Sequence, residues 1–250
     1  MGAAVKVAEI PARRGFAWLG AAFHVFRTKP FAWLGLCAGW MLITFVLAFI
    51  LFPPVGSAIA SFLQPVFFAS FALAVRKQEQ GGEPVMGDLF AGFRTHFRSL
   101  VMLGAILTLI ELGILMLMGL MGLPTGRELA GVETIADYVK ALKGKEWILL
   151  AGFFMTVAAK GALWFAPPLI ALHGMSTSHA ARWSVYAALA NIGAMFAYGL
   201  TLMALFLLAM MPWGLGLLVA VPMMAISTYV GYREVFESRD QAPVSPPPPA

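Results

Sequence analysis

The chain has 250 residues, of which 60% are hydrophobic and only 12% charged, with a mean hydropathy of +0.83; a soluble domain is nearer half apolar and a quarter charged. The net charge of +5 does not signal nucleic acid, because apolar blocks separate the basic residues, which fall mostly at the ends of those blocks. The single cysteine, Cys37, has no intrachain partner, which excludes a disulfide framework and a thiolate metal site. The composition places the chain in a bilayer.

Residues 1–10 read as a flexible N-terminus, and the first thirty residues show no continuous apolar region or small-residue cleavage site, so a removable signal peptide is not expected. Over 11–30, Phe16, Leu19, Phe23 and Phe26 recur at helical spacing, with Arg13, Arg14, His24 and Arg27 expected on the other side. This predicts an amphipathic helix on the membrane surface. Residues 31–52 carry no charge and are long enough for a hydrocarbon core of about 30 Å, since a helix rises about 1.5 Å per residue. After Pro53-Pro54-Val55-Gly56 the chain runs back over 55–75, so the first two spans form a hairpin.

Leu89, Phe90, Phe93 and Phe97 form a second apolar stripe, opposite Asp88, Arg94 and Arg98. The third span is 100–123, interrupted only by Glu111, and the fourth is 147–173, interrupted by Lys160. In the long connection between them, Leu129, Val132, Ala136, Val139 and Leu142 predict a short interfacial helix. Ser178 is placed to cap a helix carrying Arg182 and Trp183, which leads into a fifth span over 191–211. Pro212-Trp213-Gly214 turns the chain into a sixth span over 215–232, closing a membrane domain of residues 11–237. Residues 238–250 are a proline-rich tail expected to be disordered.

The expected fold is therefore all-α: a polytopic membrane protein of six transmembrane helices, arranged as three parallel hairpins with interfacial amphipathic helices. Outside the spans, twelve Lys and Arg fall on one side: five before the first span, four between the second and third, Arg182, and two at the C-terminus. The opposite side has four, all in the long loop and accompanied by four acids. That asymmetry places both termini in the cytoplasm of a bacterial inner membrane. The second span of each hairpin carries a proline followed eleven residues later by a basic residue or histidine: Pro65 to Arg76, Pro168 to His179, Pro222 to Arg233. Such a period suggests a hairpin unit present in three copies.

Glu111 lies eleven residues into the third span, and Lys160 lies thirteen from either end of the fourth, so both are expected near the bilayer midplane. A lone charge there costs on the order of 3 kcal/mol, so the two are expected to meet. A structural ion pair and a substrate or proton site both fit that expectation. Pro65, Pro167, Pro168 and Pro222 each remove a backbone donor within a span and should kink the helix. Gly35 and Gly39 form a weak close-packing motif. The histidines His24, His96, His173 and His179 fall near the cytoplasmic edge without a metal-ligand spacing, and Asn191 and Tyr198 are suited to bonding between helices. No nucleophile elbow, phosphate loop or dinucleotide fingerprint is present, so no catalytic, cofactor-binding or metal-binding residue is assigned.

Trp164-Phe165-Ala166-Pro167, His173-Gly174, the stretch from Arg182 to Asn191 and the closing Tyr229-Val230-Gly231-Tyr232-Arg233-Glu234-Val235-Phe236 resemble a family of uncharacterised six-span inner-membrane proteins of proteobacteria. The N-terminal RRGFAWLGAAFHVFRTKP and Pro65 are similar too, so the resemblance spans nearly everything but the tail. It implies location and fold, and neither activity nor cofactor. The layout is also loosely similar to the membrane domain attached to some glycerophosphodiester phosphodiesterases, although no stretch of this sequence matches their catalytic domain. The expected function is that of a non-enzymatic membrane component, an accessory protein or scaffold. A small-solute or ion transporter using Glu111 and Lys160 is the alternative. Membrane lipids are the expected partners, with another membrane protein or a second copy of the chain beside them.

Overall fold

The computed structural model describes residues 6–50, 53–124, 134–211 and 213–237, and they contain helices and turns with no strand. The helices are α1 (Arg13–Phe26), α2 (Pro30–Ile50), α3 (Pro53–Glu79), α4 (Ala91–Arg94), α5 (Phe97–Leu120), α6 (Ile135–Leu142), α7 (Glu146–Ala162), α8 (Ala166–His173), α9 (Thr177–Ala190), α10 (Ile192–Met210) and α11 (Leu217–Phe236). A 3-10 turn, Met86–Phe90, precedes α4. Five stretches are long and apolar enough to cross a membrane: Pro30–Phe49, Val55–Glu79, Phe97–Leu120, Glu146–His173 and Ile192–Met210. The expected proline-rich tail, residues Leu129 and Val132 of the interfacial stripe, and Pro212 of the last turn lie outside the described residues.

The chain forms two compact units, Met1–Gly104 with Ala162–Ala250, and Ala105–Gly161. In the first, α11 is the buried element. Its residues from Ala220 to Met223 and from Ala225 to Tyr232 are nearly all inaccessible, and Ser227, Thr228, Tyr229 and Tyr232 lie among them. α11 is not among the five apolar stretches: besides these polar groups, its last turn carries Arg233 and Glu234. A helix enclosed by protein can satisfy hydroxyls that a lipid-facing helix cannot. By contrast α2 and α10 leave Phe31, Leu42, Phe45 and Phe49, and Phe196, Leu207 and Leu208, outside the protein core.

The short helices pack in a regular way. α1 lies on α10 and α11, the 3-10 turn on α2 and α3, α4 on α3, and α9 on α8. Small residues permit the close approach: a Cβ on Gly15 would collide with the Ala194 carbonyl, and one on Gly92 with the Val66 carbonyl. The α1 stripe expected from sequence is not the face that the protein covers. Gly15, Trp18, Ala22 and Phe26 are buried, while Phe16 and Phe23 are exposed. Phe16 and Phe23 sit on the adjoining face of the wheel, between the covered face and Arg13, His24 and Arg27. Of the expected N-terminal lead, residues 1–5 lie outside the described residues, and residues 6–10 pack against the protein. Val7, Ala8 and Ile10 are buried, Ala8 N donates to Val235 O at 2.8 Å, and Asn191 accepts from Ile10 N and donates to Ala8 O.

The prolines divide into two kinds. Pro65 and Pro222 lie inside continuous helices, but the expected kink at Pro167 and Pro168 is a complete break over 163–165. Both prolines then sit in the first turn of α8, where their missing donors cost nothing. The small-residue motif Gly35 and Gly39 is met by the Met86 side chain of the 3-10 turn rather than by a crossing helix.

The second unit contains most of α5 and α7, with α6 between them. Met118 fills the space beside Gly152. Thr134 caps α6 by accepting from Asp137 N, as a residue at that position should.

Candidate functional site

Two groups of polar side chains stand out against the apolar background. The first is the expected pair. Lys160 Nζ lies 2.8 Å from Glu111 Oε1, so residues 49 positions apart meet across α5 and α7. Neither is fully enclosed: their side chains keep 36% and 28% of their accessible surface. The neighbours on the same faces are exposed too. Leu115, one turn beyond Glu111, is 58% exposed, and Val157, one turn before Lys160, is 50% exposed. The Thr108 hydroxyl, one turn before Glu111, is buried and has no hydrogen-bond partner among the described residues.

The second group belongs to the first unit, at the C-terminal ends of α3, α8 and α11. Glu79, near the end of α3, accepts from the Tyr229 hydroxyl at 3.1 Å and pairs with the Arg233 guanidinium. Glu237, which caps α11, accepts from the Tyr232 hydroxyl at 3.1 Å and lies 3.7 Å from Arg76. The same Tyr232 oxygen is 2.6 Å from His173 Nε2 at the end of α8. With its one hydrogen directed to Glu237, Tyr232 accepts there, and His173 carries its hydrogen on Nε2. Glu234, on the adjoining face of α11, accepts from Arg14 Nε and, at 3.0 Å, from Trp18 Nε1, which anchors α1. The hydrogen bond that Arg14 donates to Glu234, and then the carboxylate's charge, push the Arg14 guanidinium pKa further above its already high value, so that pair stays ionised.

The break before α8 is closed by one side chain. Ser184 of α9 donates to Ala162 O at 2.8 Å and accepts from Phe165 N at 3.1 Å. Tyr198 and Ser227 share a buried hydrogen bond of 2.7 Å between α10 and α11, as expected for Tyr198. Asn191 instead ties the N-terminal segment to the α9–α10 junction. His179 stacks on Trp183, and His96 lies against Gly174 with a left-handed backbone, φ 46°. Among the described residues no three His, Cys, Asp or Glu side chains are grouped as a metal would require.

The equal spacings from the prolines do not produce equal geometry. Arg76 and Arg233 enter the cluster at the helix ends, whereas His179 falls on another helix because α8 stops at Gly174, which has φ 64°. His173 reaches the cluster instead. Sequence reasoning treated Arg76 and Arg233 as orientation charges and did not find their partners. The one available signal was the run from Tyr229 to Glu234, whose two tyrosines and two charges lie at the end of an apolar helix.

No family model matches the chain, and no solved structure matches it. A protein of Burkholderia thailandensis named as a probable inner membrane protein is 27% identical over 215 residues, covering 80% of this chain and 76% of that protein. With five stretches able to cross a bilayer, that likeness agrees with the composition: the chain is a transmembrane protein.

Proposed function

We propose that the chain is a six-span, non-enzymatic component of the bacterial inner membrane, with both termini cytoplasmic, serving as a scaffold or accessory protein. The observation that carries this reading is how its acids are used. Glu79 fastens α3 to α11, Glu234 fastens α11 to α1, and Glu237 fastens the end of α11 to α3. Groups already engaged by neighbouring helices hold an architecture together and are poorly placed to attack a substrate.

The six-span reading takes α11 as the last crossing. The hydroxyls of its apolar part, Ser227, Thr228, Tyr229 and Tyr232, are enclosed by the surrounding helices. Three hairpin units account for the packing of the short helices: each leading helix rests on the hairpin of the unit before it, α1 closing the cycle on α10 and α11. The proline-bearing helices meet as well, α3 with α8 and α11, and α8 with α11 through His173 and Tyr232.

A second reading, small-solute or ion transport, is favoured by one observation. The Glu111–Lys160 pair is half-open at mid-span, with the unpaired Thr108 hydroxyl one turn away. Purification from native membranes after crosslinking, together with solute flux in proteoliposomes, separates the two. A scaffold co-purifies with a defined partner and shows no flux that depends on Lys160. A transporter shows flux that Lys160→Met abolishes.

A further inference from the structure

Five arginines are left over once the acids of the first unit have been paired. Glu79 is held by Arg233, Glu83 by Lys29, Asp88 by Lys77, Glu234 by Arg14 and Glu237 by Arg76, which leaves Glu9 as the one described acid of that unit outside an ion pair. Arg13, Arg27, Arg94, Arg98 and Arg182 are exposed, and none enters an ion pair among the described residues. They lie at one end of the unit. Arg13 and Arg27 belong to α1, which Glu234 fastens to the end of α11. Arg94 and Arg98 are on α4 and the first turn of α5, and that turn meets the start of α9, where Thr177 donates to Ser99 O at 2.9 Å. Arg182 is on α9 itself. Large apolar side chains stand open beside them. On the α1 wheel, Arg13, Phe16, Phe23 and Arg27 fall opposite Gly15, Trp18 and Ala22, and the two phenylalanines are 54% and 49% exposed. Arg94 and Arg98 flank Phe97 along the chain, whose ring stacks on Phe93 and is still 41% exposed. Arg182 and Leu189, about two turns apart, share a face of α9, and Leu189 is exposed as well.

We propose that this end of the first unit is a binding surface for anionic phospholipids: the five arginines take the phosphates, and the acyl chains cover the adjoining phenylalanines and leucine. A guanidinium matches a phosphate in both charge and geometry. The apolar side chains decide the kind of partner. A nucleic acid or a soluble phosphate would meet the charge and leave the phenylalanines in water, whereas a lipid supplies both halves at the boundary where an amphipathic helix lies. A zwitterionic headgroup carries its own ammonium beside the phosphate and gains less, so the surface selects lipids of net negative charge. The inference goes beyond the scaffold reading and does not depend on it. It needs only that α1, α4 and α9 lie at the membrane surface.

The test reconstitutes the full chain in phosphatidylcholine bilayers holding a trace of spin-labelled phosphatidylglycerol or spin-labelled phosphatidylcholine, and reads by electron spin resonance the fraction of each label immobilised at the protein. At low salt the phosphatidylglycerol label associates at least about threefold more strongly, and sodium chloride at about 0.5 M brings the ratio close to one. Replacing Arg13, Arg27, Arg94, Arg98 and Arg182 together by Gln abolishes the preference at low salt. Because losing five charges can upset insertion, Arg27→Gln, Arg98→Gln and Arg182→Gln are also measured singly. Each lowers the ratio, while Arg27→Lys keeps most of it. Inorganic phosphate or a short oligonucleotide, added at matched ionic strength, leaves the ratio unchanged. Equal association of the two labels at low salt, a preference untouched by the arginine changes or by salt, or displacement of the lipid label by phosphate or oligonucleotide would each overturn the proposal.

Discussion

Ser184 is the side chain that supports the break between α7 and α8. It receives Phe165 N and donates to Ala162 O, two backbone groups released when the helix opens before Pro167 and Pro168. Ser184→Ala leaves both without that partner in a buried setting and should cost about 1–3 kcal/mol, read as a lower melting temperature in detergent with membrane insertion unchanged. Glu111 and Lys160 test differently. Glu111→Gln leaves a lysine without its counter-charge and should destabilise the protein by about 2 kcal/mol, below the usual cost of breaking a fully buried pair because both side chains are partly exposed. The double variant with Lys160→Met should recover most of that loss. If both melt like the wild type, the pair contributes nothing to stability. The sequence makes Glu111 and Lys160 visible because charges inside apolar runs are rare and their depth can be counted. Ser184 is not visible, since its partners lie 22 and 19 positions away and nothing local distinguishes it from any other helical serine.

At the scale of single helices, the contrast between α11 and its neighbours follows from what surrounds each one. α2 and α10 read as strongly apolar because much of their surface faces away from protein. α11 is enclosed, and it carries Ser227, Thr228 and two tyrosines, with Arg233 and Glu234 in its last turn. The apolar runs and their breaks were therefore legible, and the rank of burial was not: hydropathy measures preference for lipid, not for the centre of a bundle. α1 shows the same limit. Its aromatic residues mark an apolar face, yet the protein covers the face of Gly15, Trp18, Ala22 and Phe26, where glycine and alanine carry little hydrophobic signal but permit contact. Gly15→Val should displace α1 from α10 and cost about 1–3 kcal/mol through overpacking. Gly20→Val, with open space around it, should be neutral or slightly stabilising, since valine is a better helix former than glycine. Equal melting temperatures for the two variants would show that α1 does not dock where the structure places it.

For the whole molecule, five stretches are apolar enough to cross a membrane, and the proposed sixth crossing rests on α11. The proline spacing that suggested a threefold unit corresponds to helices that do pack together, though its equal intervals end in different places because α8 is short. The cluster formed by Glu79, Tyr229, Arg233, His173, Tyr232, Glu237 and Arg76 could not be read in advance, because it depends on three helix ends meeting. The most direct test of the account is the side of the membrane on which each terminus lies, measured by fusing to either end a fluorescent protein that matures only in the cytoplasm. Six crossings predict fluorescence from both fusions. Fluorescence from the N-terminal fusion alone would mean five crossings and would contradict the assignment of α11 as a transmembrane helix.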